Sequence, residues 1–74
     1  MKRILFDYSK LKGRITEKCG TQKAFAELLG ITEGTLTSKL KGRTYFTQEE
    51  IFLASNILDL EPGSKTLYFF TKTV

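Results

Sequence analysis

Residues 21–42, TQKAFAELLGITEGTLTSKLKG, constrain the fold more than any other stretch. They predict two short helices joined by a tight turn. Thr21 follows Gly20 and suits an N-cap, because its hydroxyl can accept an orphan backbone N–H. Phe25, Leu28 and Leu29 recur at helical spacing, with Ala24 and Ala26 beside them. Gly30 adopts a left-handed conformation at little cost and ends the first helix. Ile31 can turn back toward the core. Thr32 is a second N-cap and opens a helix over about 33–41. Leu36 and Leu40 lie one turn apart on its inner side, while Glu33, Gly34, Thr37, Ser38 and Lys41 fall mostly outside. Gly42 closes this helix as Gly30 closes the first.

The spacing resembles the helix-turn-helix of phage repressor and Cro proteins, the XRE-type transcriptional regulators. Gln22 stands at the motif's start, small Ala26 where the helices cross, Gly30 at the turn, and Ile31 and Leu36 at the buried apolar positions. The opening FDYSKLKG, with the helical pair, looks most like small Cro/CI-like regulators of Gram-positive prophages. One departure stands out. The family usually carries an apolar residue where this chain has Lys39, so Leu40 must complete the core and Lys39 is left to flank a DNA backbone. The resemblance covers residues 8–60 and implies a mainly α, four- to five-helix lambda-repressor-like domain.

Outside that motif the chain reads as a single domain over residues 1–74, with a modest core for its size. It contains one Cys and no His, so neither an internal disulfide nor a His-based metal or catalytic cluster is expected. Cys19 falls on a stripe with Tyr8, Leu11 and Ile15 and is read as a packing residue of the first helix. Nothing in the sequence approaches a signal peptide or membrane span, and the protein is read as cytoplasmic and non-enzymatic. No cofactor, metal or small-molecule ligand is expected. The net charge of +4 conceals a gradient: residues 1–43 hold ten Lys/Arg against four Asp/Glu, and residues 44–74 hold two against four. The basic surplus therefore lies in the half that carries the helical pair. That suits a polyanion, because neutralising phosphates releases condensed counterions. It equally suits a solvated surface.

Toward the N-terminus, residues 2–6 can form a short strand or an extended arm. Asp7 or Ser9 can cap the first helix, which Gly20 stops. Thr47-Gln48-Glu49-Glu50 is a capping box, with Phe46 and Ile51 at the staple positions. The helix that follows, with Ile51, Phe52, Leu53, Ala54, Ile57 and Leu58, is apolar around most of its circumference and needs cover on more than one side. Pro62 and Gly63 mark a turn. Residues 66–71, rich in Thr, Tyr and Phe, favour a strand that can pair with residues 2–6. LYFF reads either as a dimer surface or as core cover.

The family resemblance implies double-stranded DNA as partner, read by a homodimer that pairs through residues 66–71. Glu33, Gly34, Thr37 and Ser38 would then meet base edges. Thr21, Gln22, Lys23, Lys39, Lys41, Arg43 and Thr44 would contact phosphate, which positions the protein without choosing sequence. Three alternatives stay open. One is an ordinary helical hairpin. Another is RNA binding through Tyr45 and Tyr68. The third is a protein-interaction module, such as an antitoxin or anti-repressor partner, engaging through LYFF and Phe52.

Overall fold

The computed structural model describes residues 5–72. Five helices follow one another: α1 (Ser9–Cys19), α2 (Gln22–Leu29), α3 (Glu33–Leu40), α4 (Gln48–Ile57) and α5 (Lys65–Phe69). The mainly helical architecture expected from the sequence is thus observed. The three predicted threonine caps are made. Thr21, Thr32 and Thr47 accept the backbone N–H groups of Ala24, Thr35 and Glu50 through their hydroxyls. The Thr47–Glu50 capping box is complete in both directions. At the start of α1, the Asp7 carboxylate accepts from the Ser9 N–H at 2.9 Å and from its hydroxyl at 2.6 Å.

Three helices end the same way. The Gly30 and Gly42 backbones are left-handed, with φ of 84° and 82°. The following N–H groups, of Ile31 and Arg43, reach back to the Ala26 and Ser38 carbonyls at 3.0 and 2.9 Å. This double closure satisfies the last carbonyls of a helix. After α4 the left-handed position is filled by Asp59, φ 53°, and the Leu60 N–H reaches the Ser55 carbonyl at 2.9 Å.

The core is one cluster to which every helix contributes. Leu11 and Ile15 come from α1, Phe25 from α2, Leu36 from α3, Ala54 from α4, and Phe69 from α5; none exceeds 2% exposure. α2 sits centrally, packed on α1, α3 and α4, and α5 covers α1 and α4. Cys19 is half-buried against this cluster, as a packing residue. Leu28, counted as part of the helical pattern, instead points outward at 63% exposure. Cover for α4 is also incomplete, because Phe52 and Leu53 remain 59% and 44% exposed.

The C-terminal segment corrects the sequence reading. Residues 66–71 are not a strand: α5 occupies most of them. β-propensity mostly reflects fit to a pleated, half-buried surface, and here a different packing wins. A single helical turn sinks Phe69 into the core and lays Tyr68 beside it, adjacent positions that a strand would send to opposite faces. The expected pairing of the two ends survives only at its edge. Phe6 bridges antiparallel to Lys72, and the Asp7 N–H donates to the Thr71 carbonyl at 2.6 Å. The remainder of segment 2–6, up to residue 4, lies outside the described residues.

Candidate functional site

Two surfaces meet at the loop after α3. The first is the outward side of α3 itself. Glu33 and Gly34 are exposed at its start, and Thr37 and Ser38 are half-buried one turn on. The Thr37 hydroxyl donates to the Glu33 carbonyl at 3.0 Å. That local bond occupies its proton and leaves the hydroxyl only its acceptor capacity. Lys41, Arg43 and Thr44 are exposed beyond the helix end, Thr21 and Lys23 are exposed at the start of α2, and Gln22 is half-buried. The Thr21 hydroxyl already caps Ala24 at 3.1 Å. The polar residues singled out in the sequence therefore gather around α3 and the entry to α2, with one exception.

That exception is Lys39. It is only 7% exposed. Its ammonium lies 2.9 Å from Glu50 Oε1 and donates to the Tyr45 carbonyl at 3.0 Å. It also stands 5.8 Å from the centre of the Phe46 ring, within cation–π range. An ammonium committed in this way is not available to a phosphate, so Lys39 leaves the expected phosphate-contacting set. Its position in the sequence explains why. Lys39 lies three residues after Leu36 and directly before Leu40, on the same inward face of α3.

Glu50 is the matching half. Its Oε1 accepts both the Lys39 ammonium and the Thr47 N–H, the latter at 2.8 Å. Burial pushes its carboxyl pKa up, but the Thr47 N–H and then the Lys39 ammonium outweigh that and hold it below the usual carboxylate value. The capping box of α4 and a buried ion pair thus share one oxygen.

The second surface is an aromatic pocket of about 270 Å³. Its walls are Phe6 and Tyr8 from the N-terminal segment, Tyr45 and Phe46 from the loop after α3, Ile51 from α4, and Phe69 and Phe70 from α5. The rings meet edge to face. Phe6 lies 6.0 Å from Tyr45 and 5.8 Å from Phe70, and Phe46 lies 5.5 Å from Tyr8 and 5.4 Å from Phe69. Such ring pairs add stability beyond the area they bury. Tyr45 and Phe70 form a half-exposed rim, at 44% and 47% exposure. The sequence reading had only part of this site, in Tyr45 and LYFF. In sequence Phe6 belongs to a short strand or extended arm and Phe46 to a helix staple, and no local period links them.

Among the described residues, no group of acidic, Cys or His side chains is placed to hold a metal, and no helix is long and apolar enough to cross a membrane.

Among the described residues the architecture is a small, mainly helical domain of five helices, with a polar helix face and an aromatic pocket joined by the loop between α3 and α4. The chain belongs to the DUF739 family, described as a protein of unknown function, whose model matches residues 4–72. No curated protein matches it. A solved structure does: that of the modulator of repression of the temperate bacteriophage TP901-1 from Lactococcus lactis. The two sequences are 45% identical over 88% of each chain, with a TM-score of 0.77.

Proposed function

We propose that this chain is a phage regulatory protein that acts on repression by docking on a repressor protein. This is the protein-interaction alternative raised by the sequence. Similarity to a modulator of repression supports it better than it supports an operator-reading repressor. The observation that carries it is the aromatic pocket with its half-exposed rim. Apolar pockets that can exclude water around an inserted side chain are where binding energy concentrates in protein interfaces. The occupant is an apolar side chain of the repressor, seated between Tyr45 and Phe70.

A second reading retains the Cro/CI-like resemblance. It is favoured by the outward position of Glu33, Gly34, Thr37 and Ser38, with Lys41 and Arg43 flanking them. On this reading α3 enters the major groove of an operator, and paired copies read a near-palindromic site.

One titration series separates the two. The purified protein is measured against the repressor of the phage that encodes it and, separately, against that repressor's operator duplex. Docking predicts repressor binding that Tyr45→Ala weakens by roughly 30-fold, a hot-spot loss of about 2 kcal/mol, and that Ser38→Ala leaves unchanged. Operator reading predicts sequence-selective duplex binding in which Glu33→Ala or Ser38→Ala alters preference at particular base pairs. In that case Lys41→Ala and Arg43→Ala weaken all sequences alike and flatten the salt slope. Repressor binding indifferent to Tyr45→Ala would remove the pocket from the docking model.

A further inference from the structure

The loop between α3 and α4 carries Tyr45 and Phe46 on its pocket side, and it is held from behind by Lys39. This ammonium has three protons and three neighbours: the Glu50 carboxylate, the Tyr45 carbonyl and the Phe46 ring. Two of the three belong to residues that wall the pocket. The third belongs to the first turn of α4, next to Ile51, another wall residue. The N-terminal segment closes the arrangement from the front. Phe6 packs against Tyr45, and Leu5 lies so close to Gly42 that a Cβ there would stand 3.3 Å from Leu5 Cδ2. Gly42 and Arg43 are in turn bonded to the Lys39 and Ser38 carbonyls of α3.

We infer that Lys39 couples the aromatic pocket to the polar face of α3, so that a side chain seated in the pocket changes how α3 is presented. Tyr45 and Phe46 are two walls of the pocket and take the load of a side chain seated there. Their carbonyl and ring cannot shift without lengthening contacts to an ammonium that is anchored in α3. A free ammonium in this partly dry position is costly, so the loop and the end of α3 move together. Coupling of this kind is reciprocal: whatever engages α3 alters the affinity of the pocket by the same factor. An apolar residue in place of Lys39 would pack the same space without holding the loop. Lys39 is here a positioning residue. Its regulatory meaning rests on the docking reading above, but the coupling is a property of the free chain and is measured without a partner.

Backbone hydrogen exchange, read residue by residue by NMR, tests it in four proteins. They are the wild type, Phe6→Leu, the charge-free pair Lys39→Met/Glu50→Gln, and the three substitutions combined. Phe6→Leu alters the pocket wall without touching α3. Gln at position 50 can still complete the capping box, so the latch-free protein keeps its fold. Rates at Lys41, Gly42 and Arg43 are referred to those at Leu11 and Ile15, which removes any global change in stability.

The expected result is that Phe6→Leu speeds exchange at Lys41–Arg43 by roughly 2- to 30-fold when Lys39 and Glu50 are present, the range spanned by couplings between packed side chains. In the Lys39→Met/Glu50→Gln background it changes those rates by less than about twofold. An equal effect in both backgrounds, or none in the wild type, overturns the inference. Failure of the repressor titration with this coupling intact would remove the docking reading alone.

Discussion

α4 is gripped at both ends by a cation from another helix, and the two grips work by different physics. At its N-terminus Lys39 of α3 meets a carboxylate, Glu50, with the ammonium almost wholly buried. At its C-terminus Arg14 of α1 meets backbone carbonyls. Its Nε donates to Leu58 O at 2.9 Å and its Nη2 to Asp59 O at 3.1 Å. A cation at the C-terminal end of a helix also complements the helix dipole, and Arg14 shares its remaining charge with exposed Glu17 one turn on. The ion pair is an all-or-nothing junction, because removing one member strands the other. The arginine grip degrades gently, because water can replace it. The stiff junction lies on the side of α3 and the pocket, and the compliant one lies on the far side.

The largest expected effect breaks the stiff junction. Lys39→Met leaves Glu50 poorly solvated with only the Thr47 N–H and should cost about 3 kcal/mol, the low end for breaking a buried pair. The charge-free pair Lys39→Met/Glu50→Gln should return to within about 1 kcal/mol of wild type, since a matched apolar or neutral replacement removes both desolvation costs. Denaturant unfolding of the three proteins measures it. A double variant as unstable as the single one would mean that Lys39 contributes by packing and not by its charge.

The compliant junction should lose less. Arg14→Met keeps the stem against the core edge and removes the guanidinium. With the side chain 23% exposed, the loss is about 1.5 kcal/mol, the low end for bonds that involve a charged group. Exchange should quicken first at Asp59 and Leu60, whose N–H groups close the end of α4. A loss equal to that of Lys39→Met would abolish the distinction between the two ends.

The junctions also mark how far the sequence could be read. Helix starts were legible because Thr21, Thr32 and Thr47 act within three residues of themselves. Helix ends at Gly30 and Gly42 were legible for the same reason. Lys39 was misread because its type argues for solvent while its spacing from Leu36 argues for the interior, and only the distant Glu50 resolves that conflict. α5 was misread because its Thr, Tyr and Phe content favours a strand, and the packing of Phe69 against α1 and α4 outweighs that preference. The pocket was the least legible feature. Its residues come from four parts of the chain, and no short-range pattern connects Phe6 to Tyr45 or Phe70.

Acid should act on the two ends of α4 differently, with the smallest of these effects. The Glu50 carboxyl is held below its ordinary value of 4.5. Its contribution to stability is therefore fully present above the unfolded-state pKa and is lost as pH falls through the lower folded-state value. Asp7, whose pKa is lowered by the Ser9 hydroxyl and N–H, adds a slope of the same sign from the exposed start of α1. Wild type should thus lose stability progressively below about pH 4.5, and Lys39→Met/Glu50→Gln should lose less, because it keeps the Asp7 contribution and lacks that of Glu50. As the pH falls, protection against exchange, taken relative to the intrinsic rate at each pH, should drop at Thr47–Ile51 before it drops at Leu58–Leu60. If the two proteins fall in parallel from pH 6 to pH 3, the carboxylate of Glu50 is not what holds the N-terminal end. The contrast between the two ends would then rest on burial alone.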